Sequence, residues 1–198
     1  MKRKILNPFF IILAGILFML PLSASTESEI ADTIATAVNE ITTLAKDKSI
    51  NKDARYKKLD SIVTPLFDFA LMSRLSLGKK QWKALDSKEK KDFTKLFTER
   101  IKHSYASKLD LYTDEQVVIE KAIRVKNRIH LPTYLVQKGE KKEVLYKLYH
   151  SKKHKKWLIY DVDILGVSIL QTYRSQFAEI LKKDSFSALL EKLKTTET

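Results

Sequence analysis

Four histidines and two neighbouring aspartates are the side chains of this 198-residue chain whose types and spacing could do chemistry. His150 and His154 stand four residues apart, which raises a metal ion as a first reading. They lie among Lys152, Lys153, Lys155 and Lys156, whose charges oppose a cation, and strand-like alternation on both sides puts them at a hairpin tip. His103 and His130 have no nucleophile or carboxylate at a telling spacing. Asp161 and Asp163 would suit acid–base work if their surroundings pushed their pKa values apart. In "YDVDILG" they flank a strand end, where serving the following turn, or pairing with a lysine or arginine, is the simpler role. The chain has no cysteine, so it has no thiol nucleophile, no cysteine-based metal site, no disulfide and no lipoprotein-type lipidation site. Its four glycines, Gly15, Gly78, Gly139 and Gly166, are too scattered to cradle a phosphate. These residues point away from an enzyme, a bound metal or a cofactor.

Composition allows one sizeable core, with 44% hydrophobic and 31% charged residues. The N-terminus has the layout of a secretory leader: "MKRK", an apolar run from Phe9 to Leu20, then "PLSAS" with small residues where a peptidase cuts. The expected division is a signal peptide over 1–24 and a mature domain over 25–198. Losing Lys2, Arg3 and Lys4 takes the net charge from +13 to +10. Such a domain attracts anionic partners over long range. Export argues against nucleic acid, leaving anionic membrane surfaces, lipid headgroups or an acidic protein.

The elements that position these residues follow from periodicity. A helix is expected from about Glu27 to Lys46, with Thr26 and Glu29 as a capping box and Ile30, Ile34, Val38, Ile41 and Ala45 as its stripe. A shorter helix runs from about Asp53 to Val63 and ends ahead of Pro65. "PLFDFALMSRLSLGKKQW" then gives short helical pieces around Gly78. Asp86 or Ser87 caps a long helix carrying Phe93, Leu96, Phe97, Ile101, Tyr105, Leu109 and Tyr112. After Asp114 the period changes to two. "QVVIEKA", "NRIHLPTYLVQ", "EVLYKLYHS" and "WLIYDV" read as four antiparallel strands joined by short turns, with Pro132 marking an edge or a bulge. Helices return in "GVSILQTYRSQFAEILKK" and "DSFSALLEKLK". The fold class is α+β, a single domain with a twisted antiparallel sheet of about four strands wrapped by amphipathic helices.

In this alternation Val144, Tyr146 and Leu148 share a face, as do Ile129, Leu131, Thr133 and Leu135, and as do Trp157, Ile159 and Asp161. A one-sided sheet under amphipathic helices builds either a filled core or the wall of a cavity, and periodicity does not choose between them.

Three stretches together resemble the MlaC family of periplasmic phospholipid-binding proteins, the auxiliary components of toluene-tolerance-type ABC transporters. They are "FDFALMSRLSLGKKQW" (67–82), "KKDFTKLFTERIKHSYASKL" (90–109) and "WLIYDVDILGVSILQTYRSQF" (157–177), in order along most of the mature chain. The resemblance implies a non-enzymatic, periplasmic carrier of a diacyl phospholipid, moving between an outer-membrane lipoprotein complex and an inner-membrane MCE-domain/ABC transporter complex. It implies an apolar pocket for the tails with the headgroup near water. Each buried methylene is worth about 0.8 kcal/mol, so roughly thirty of them represent on the order of 20 kcal/mol withheld from water. On this reading Val144, Tyr146, Leu148, Trp157 and Ile159 form the pocket floor, and Phe69, Phe97, Ile101, Val167, Leu170 and Phe177 the helical side. Gly166 would permit a tight reversal between sheet and helix. Arg174 is a headgroup contact or a structural partner of Asp68 or Asp161, and Lys152, Lys153, Lys155 and Lys156 would meet a headgroup or a partner. The alternative is a periplasmic adaptor with a solid core that docks a transporter without carrying lipid.

Overall fold

The computed structural model describes residues 23–106 and 115–194. The proposed leader up to Pro21–Leu22, and Leu109 and Tyr112 of the long helix, lie outside them. The chain opens with α1 (Ser23–Lys46) and α2 (Lys52–Val63), followed by a 3-10 turn over Thr64–Leu66. Next come α3 (Phe69–Leu77), α4 (Lys79–Ala84) and α5 (Ser87–Ala106). Six strands follow: β1 (Gln116–Ile119), β2 (Ile123–Val125), β3 (Arg128–Gln137), β4 (Glu140–Ser151), β5 (Lys156–Ile164) and β6 (Val167–Ser168). Two helices, α6 (Ile169–Lys183) and α7 (Phe186–Lys194), complete it. The architecture is a single α+β domain with an open antiparallel sheet.

Local chemistry sets the element ends. Asn51 caps α2, its Oδ1 accepting from the Ala54 amide at 2.9 Å. Asp86 and Glu89 form a reciprocal capping box ahead of α5, both contacts at 2.8 Å. The box expected at Thr26 and Glu29 is not a helix start, because α1 already begins at Ser23 and runs straight through both residues. Its stripe is as expected: Ile30, Ile34 and Ala45 are buried, with Ala37 and Leu44 beside them.

The sheet has two strands more than the sequence suggested. β2 and β6 are only three and two residues long, too short for alternation to register. Pro132 is not at an edge of the sheet; it stands opposite a one-residue shift of register between β1 and β2, the bulge of the two expectations. β3 is flanked by β4 along its whole length and by β1 and β2 on the other side. The gap between β1 and β2 falls opposite Pro132, whose carbonyl still accepts from the Glu120 amide at 3.0 Å. The missing proline N–H thus faces the one interruption in that ladder.

A further correction concerns β5. Lys147 pairs with Asp161 and Leu148 with Ile159, so Tyr160 is an extra residue in the ladder, a bulge. Ile159 therefore shares its face with Val162 and Ile164, opposite Leu148, Tyr146 and Val144. Asp161 goes to the other face with Asp163, opposite Lys147 and Leu145. Simple alternation had joined Asp161 to Trp157 and Ile159, and the bulge undoes it.

β5 turns into β6 through Leu165 (φ 51°) and Gly166 (φ 78°), a two-residue loop with both residues left-handed. No atom lies within 4 Å of where a Gly166 side chain would begin. The tight reversal expected at Gly166 is present, and the glycine answers its backbone angle.

Two packed clusters result. One joins α3, α5, α6 and α7 through Phe69, Met72, Phe93, Phe97, Leu170, Phe177 and Leu189. Its centre is aromatic: Phe177 meets Phe93 and Phe97 edge-on, with centroids 5.5 and 5.6 Å away. The other joins α1 to the sheet through Ile30, Ile34, Ile129, Leu131, Leu148, Ile159 and Val162.

Candidate functional site

Between these clusters lies a cavity of about 260 Å³. Its walls come from α1 (Ile34, Ala37, Val38, Ile41), α2 (Tyr56, Leu59, Asp60, Val63) and α5 (Ile101, Lys102, Ala106). Leu66 and Phe67 close it from the segment between α2 and α3, Phe69 and Met72 from the first turn of α3, and Ile169 from the start of α6. The sheet supplies Val144, Tyr146, Ile159, Val162 and Ile164, the face that the bulge at Tyr160 assembles. Apart from Tyr56, Asp60, Lys102 and Tyr146, every lining side chain is apolar.

The Phe67–Asp68–Phe69 segment is the clearest case of sequence building the site. The Asp68 amide donates to the Ile159 carbonyl at 2.9 Å, and Phe67 bridges to Ile159, so the segment is hooked onto β5. Asp68 caps α3, its Oδ1 accepting from the Leu71 amide at 2.8 Å, while Oδ2 accepts from the Tyr149 hydroxyl. With the aspartate pinned to backbone and sheet, Phe67 and Phe69 stack at 5.5 Å and both face the cavity.

Of the eleven residues expected to touch lipid, the structure brings Phe69, Ile101, Val144, Tyr146 and Ile159 to the cavity. Phe97, Leu170 and Phe177 are packed inside the helical cluster instead. Leu148 is buried in the α1–sheet cluster, and Trp157 packs against that cluster and meets His150 edge-on. Val167 is 61% exposed at the β5–β6 turn, outside the cavity. The guanidinium of Arg174 lies over Gly78, within 3.8 Å of where a side chain there would start. Asp68 and Asp161 take the other partners described here. Lys152, Lys153 and Lys155 are exposed in the β4–β5 turn, and Lys156 donates to the Pro65 carbonyl at 2.8 Å.

Sequence reasoning missed the contributions of α1 and α2. The α1 stripe was visible in the sequence, with nothing to link it to the pocket. On α2, Tyr56, Leu59 and Val63 follow at i, i+3 and i+7, a signal that was available. Nothing in the sequence marked Lys102 or Asp60.

The polar groups at the cavity are held by specific partners. Lys102 pairs with Asp60 at 2.5 Å and donates to the Thr64 hydroxyl at 2.7 Å, with its ammonium 5.1 Å from the centre of the Phe69 ring. The hydrogen bond from Lys102 pulls the Asp60 pKa below its ordinary value against the effect of burial. Burial pushes the Tyr56 phenol up, helped by Asp60 and Glu99, and burial likewise raises Tyr146.

Asp161 and Asp163 belong to a different assembly. Lys147 reaches Asp161 at 3.1 Å and Asp163 at 2.6 Å. Asp161 also accepts from the Ser168 hydroxyl at 2.8 Å and the Leu170 amide at 3.2 Å, which ties the strand to the first turn of α6. This is a structural clamp at the strand-to-helix corner.

Three comparisons bear on the fold and the family. The phospholipid-binding protein from Ralstonia solanacearum, solved in complex with a phospholipid, superposes with a TM-score of 0.72 at 20% identity, covering 82% of this chain and 93% of that one. The intermembrane phospholipid transport system binding protein MlaC of Haemophilus influenzae is 27% identical over 116 residues. That match takes in 57% of this chain and 54% of the relative, so the chain spans about half the length of the curated relative it matches. A model of the family described as MlaC protein matches residues 32–195. The chain belongs to the MlaC protein family.

Proposed function

We propose that this protein carries a diacyl phospholipid, with acyl chain held in the cavity between α1, α2, α5 and the sheet. The observation that carries the proposal is the cavity itself: apolar almost throughout, and built where a packed domain of this size would be filled. At about 260 Å³ it sits just below the usual range of about 300–1,000 Å³ for ligand pockets. A whole diacyl lipid needs more room than that, so loading is expected to part α1 and α2 from the sheet. The phospholipid complex of the structural neighbour and the name of the curated relative support the same reading.

A carrier of this kind works in the periplasm, between an inner-membrane MCE-domain/ABC transporter and an outer-membrane lipoprotein complex. The exposed Lys152, Lys153 and Lys155 supply a basic tip for an anionic partner surface. Residues 1–24 act as the export signal and 25–198 as the carrier. Exported protein should have the intact mass of a chain beginning at Ser25 or Thr26, and a mass that retains Met1 or Lys2 would refute cleavage.

The decisive experiment is mass spectrometry of lipid released from gently purified protein. Near-stoichiometric glycerophospholipid is expected. Protein that holds no lipid, and takes none from vesicles, would leave the solid-core adaptor as the better account.

A further inference from the structure

Lys102 and Asp60 are the two ionisable groups of opposite charge in the cavity lining, and they bridge α5 to α2. Their exposures differ: the Lys102 side chain is 15% exposed and that of Asp60 40%. The ammonium lies 5.1 Å from the centre of the Phe69 ring, and the carboxylate side chain is the more exposed of the two. Thr64 links them, accepting from Lys102 and donating to Asp60 at 3.0 Å. A lysine placed against an apolar cavity costs desolvation and adds nothing to the packing of tails. An aliphatic residue would close the same space better, so the pair calls for a polar ligand group at this spot.

We propose that Lys102 and Asp60 form a headgroup clasp that favours a zwitterionic, amine-headed phospholipid over an anionic one. This rests on the lipid-carrier reading above. A tail inside the cavity leaves its phosphodiester at the rim, since an ionised phosphate stays where charge is compensated. The Lys102 ammonium is the lining's cation and takes the phosphodiester by a charge-assisted hydrogen bond. Asp60 then loses its cation and keeps the Thr64 hydroxyl and water. A headgroup ending in an ammonium, as in phosphatidylethanolamine, restores a cation to Asp60, so the ion pair is exchanged for two complementary ones. A glycerol headgroup brings no cation and leaves the carboxylate beside a phosphate of like charge.

The clasp opposes what bulk electrostatics favours. The chain carries a formal net charge of +13, and charge alone would draw it to anionic lipid. A preference for the zwitterion therefore has to come from a local site.

The test loads the purified, delipidated protein from vesicles of equal dioleoyl-phosphatidylethanolamine and dioleoyl-phosphatidylglycerol, and quantifies bound lipid by mass spectrometry. Wild-type protein should prefer the ethanolamine lipid by about 3- to 10-fold, the scale of one ordinary hydrogen bond or partly exposed ion pair. Asp60→Asn should bring the ratio to parity or reverse it, with total loading kept. Asp60→Glu should preserve the preference. Lys102→Met should lower uptake of both phospholipids but spare dioleoylglycerol, which has no phosphate, and Lys102→Arg should restore uptake. Should Lys102→Met misfold by circular dichroism, the Asp60 pair decides alone. A wild-type ratio at or below one, or an Asp60→Asn ratio equal to wild type, overturns the clasp while leaving the carrier intact. Wild-type protein that loads neither lipid refutes the carrier reading instead.

Discussion

Tryptophan at Val144 is expected to empty the protein of lipid and leave it folded. Val144 lines the cavity, is half-buried, and stands in register with Thr133 on one side and Ile164 on the other. An indole there grows into open space of about 260 Å³ and takes up room an acyl chain would use. Co-purified phospholipid should fall by about tenfold or more, equivalent to roughly 1.4 kcal/mol of lost affinity. The melting temperature without lipid should stay close to wild type. Leu148→Trp is the contrasting variant. Leu148 lies on the same sheet face but is 3% exposed, between Ile129 and Ile159 in a filled cluster. Overpacking there costs about 1–3 kcal/mol, and each kcal/mol lowers the melting temperature by roughly 2–4 °C in a chain of this size. Val144→Trp protein that keeps its lipid would remove the cavity as the tail site. Val144→Trp protein that melts as early as Leu148→Trp would show a packed core at that position.

That contrast shows how far the sequence could be read. Alternation places Val144, Tyr146 and Leu148 on one face correctly, because period two is a property of the strand backbone. Depth along the sheet is not. Whether a residue on that face meets α1 tightly, as Leu148 does, or stands across a gap, as Val144 does, depends on where the helices lie. The same limit explains Phe97, Leu170 and Phe177. Their helical spacing marks a buried stripe, and the stripe packs on other helices instead of on the cavity.

The bulge at Tyr160 is a second kind of limit. One extra residue in β5 turns Ile159 and Val162 to the same side, and so builds the cavity floor and the Asp161 clamp at once. No residue type in "WLIYDVDIL" announces it, since each is a good strand former or a plausible strand end. The Phe67–Asp68–Phe69 segment was more legible. Two aromatics around a capping residue imply a pinned turn, and its hook onto Ile159 is the long-range contact that sequence could not supply.

Removing the cation of the clamp should cost more stability than any other single change to a charged surface. Lys147 is 19% exposed, between Asp161 at 7% and Asp163 at 16%. Lys147→Met keeps the stem's volume and leaves two largely buried carboxylates without a counter-ion. Breaking a buried pair from one side costs about 3–5 kcal/mol, and the residual exposure here brings the expectation to roughly 2–4 kcal/mol. Asp161 also holds the Leu170 amide and the Ser168 hydroxyl, so the start of α6 should loosen too, visible as faster amide exchange there. The pH dependence has a definite sign. Burial works against the Lys147 charge, but hydrogen bonds to Asp163 and Asp161 outweigh it and raise its pKa above the ordinary 10.5. A raised lysine pKa gives stability that is fully present below the unfolded value and lost as pH climbs through the folded one. Wild-type protein should therefore keep this contribution at neutral pH and lose it only in the alkaline range. Lys182→Met, which removes an exposed partner of Glu179, should change stability immeasurably at any pH. A Lys147→Met protein that melts with wild type would mean that solvent, not Lys147, compensates the two aspartates.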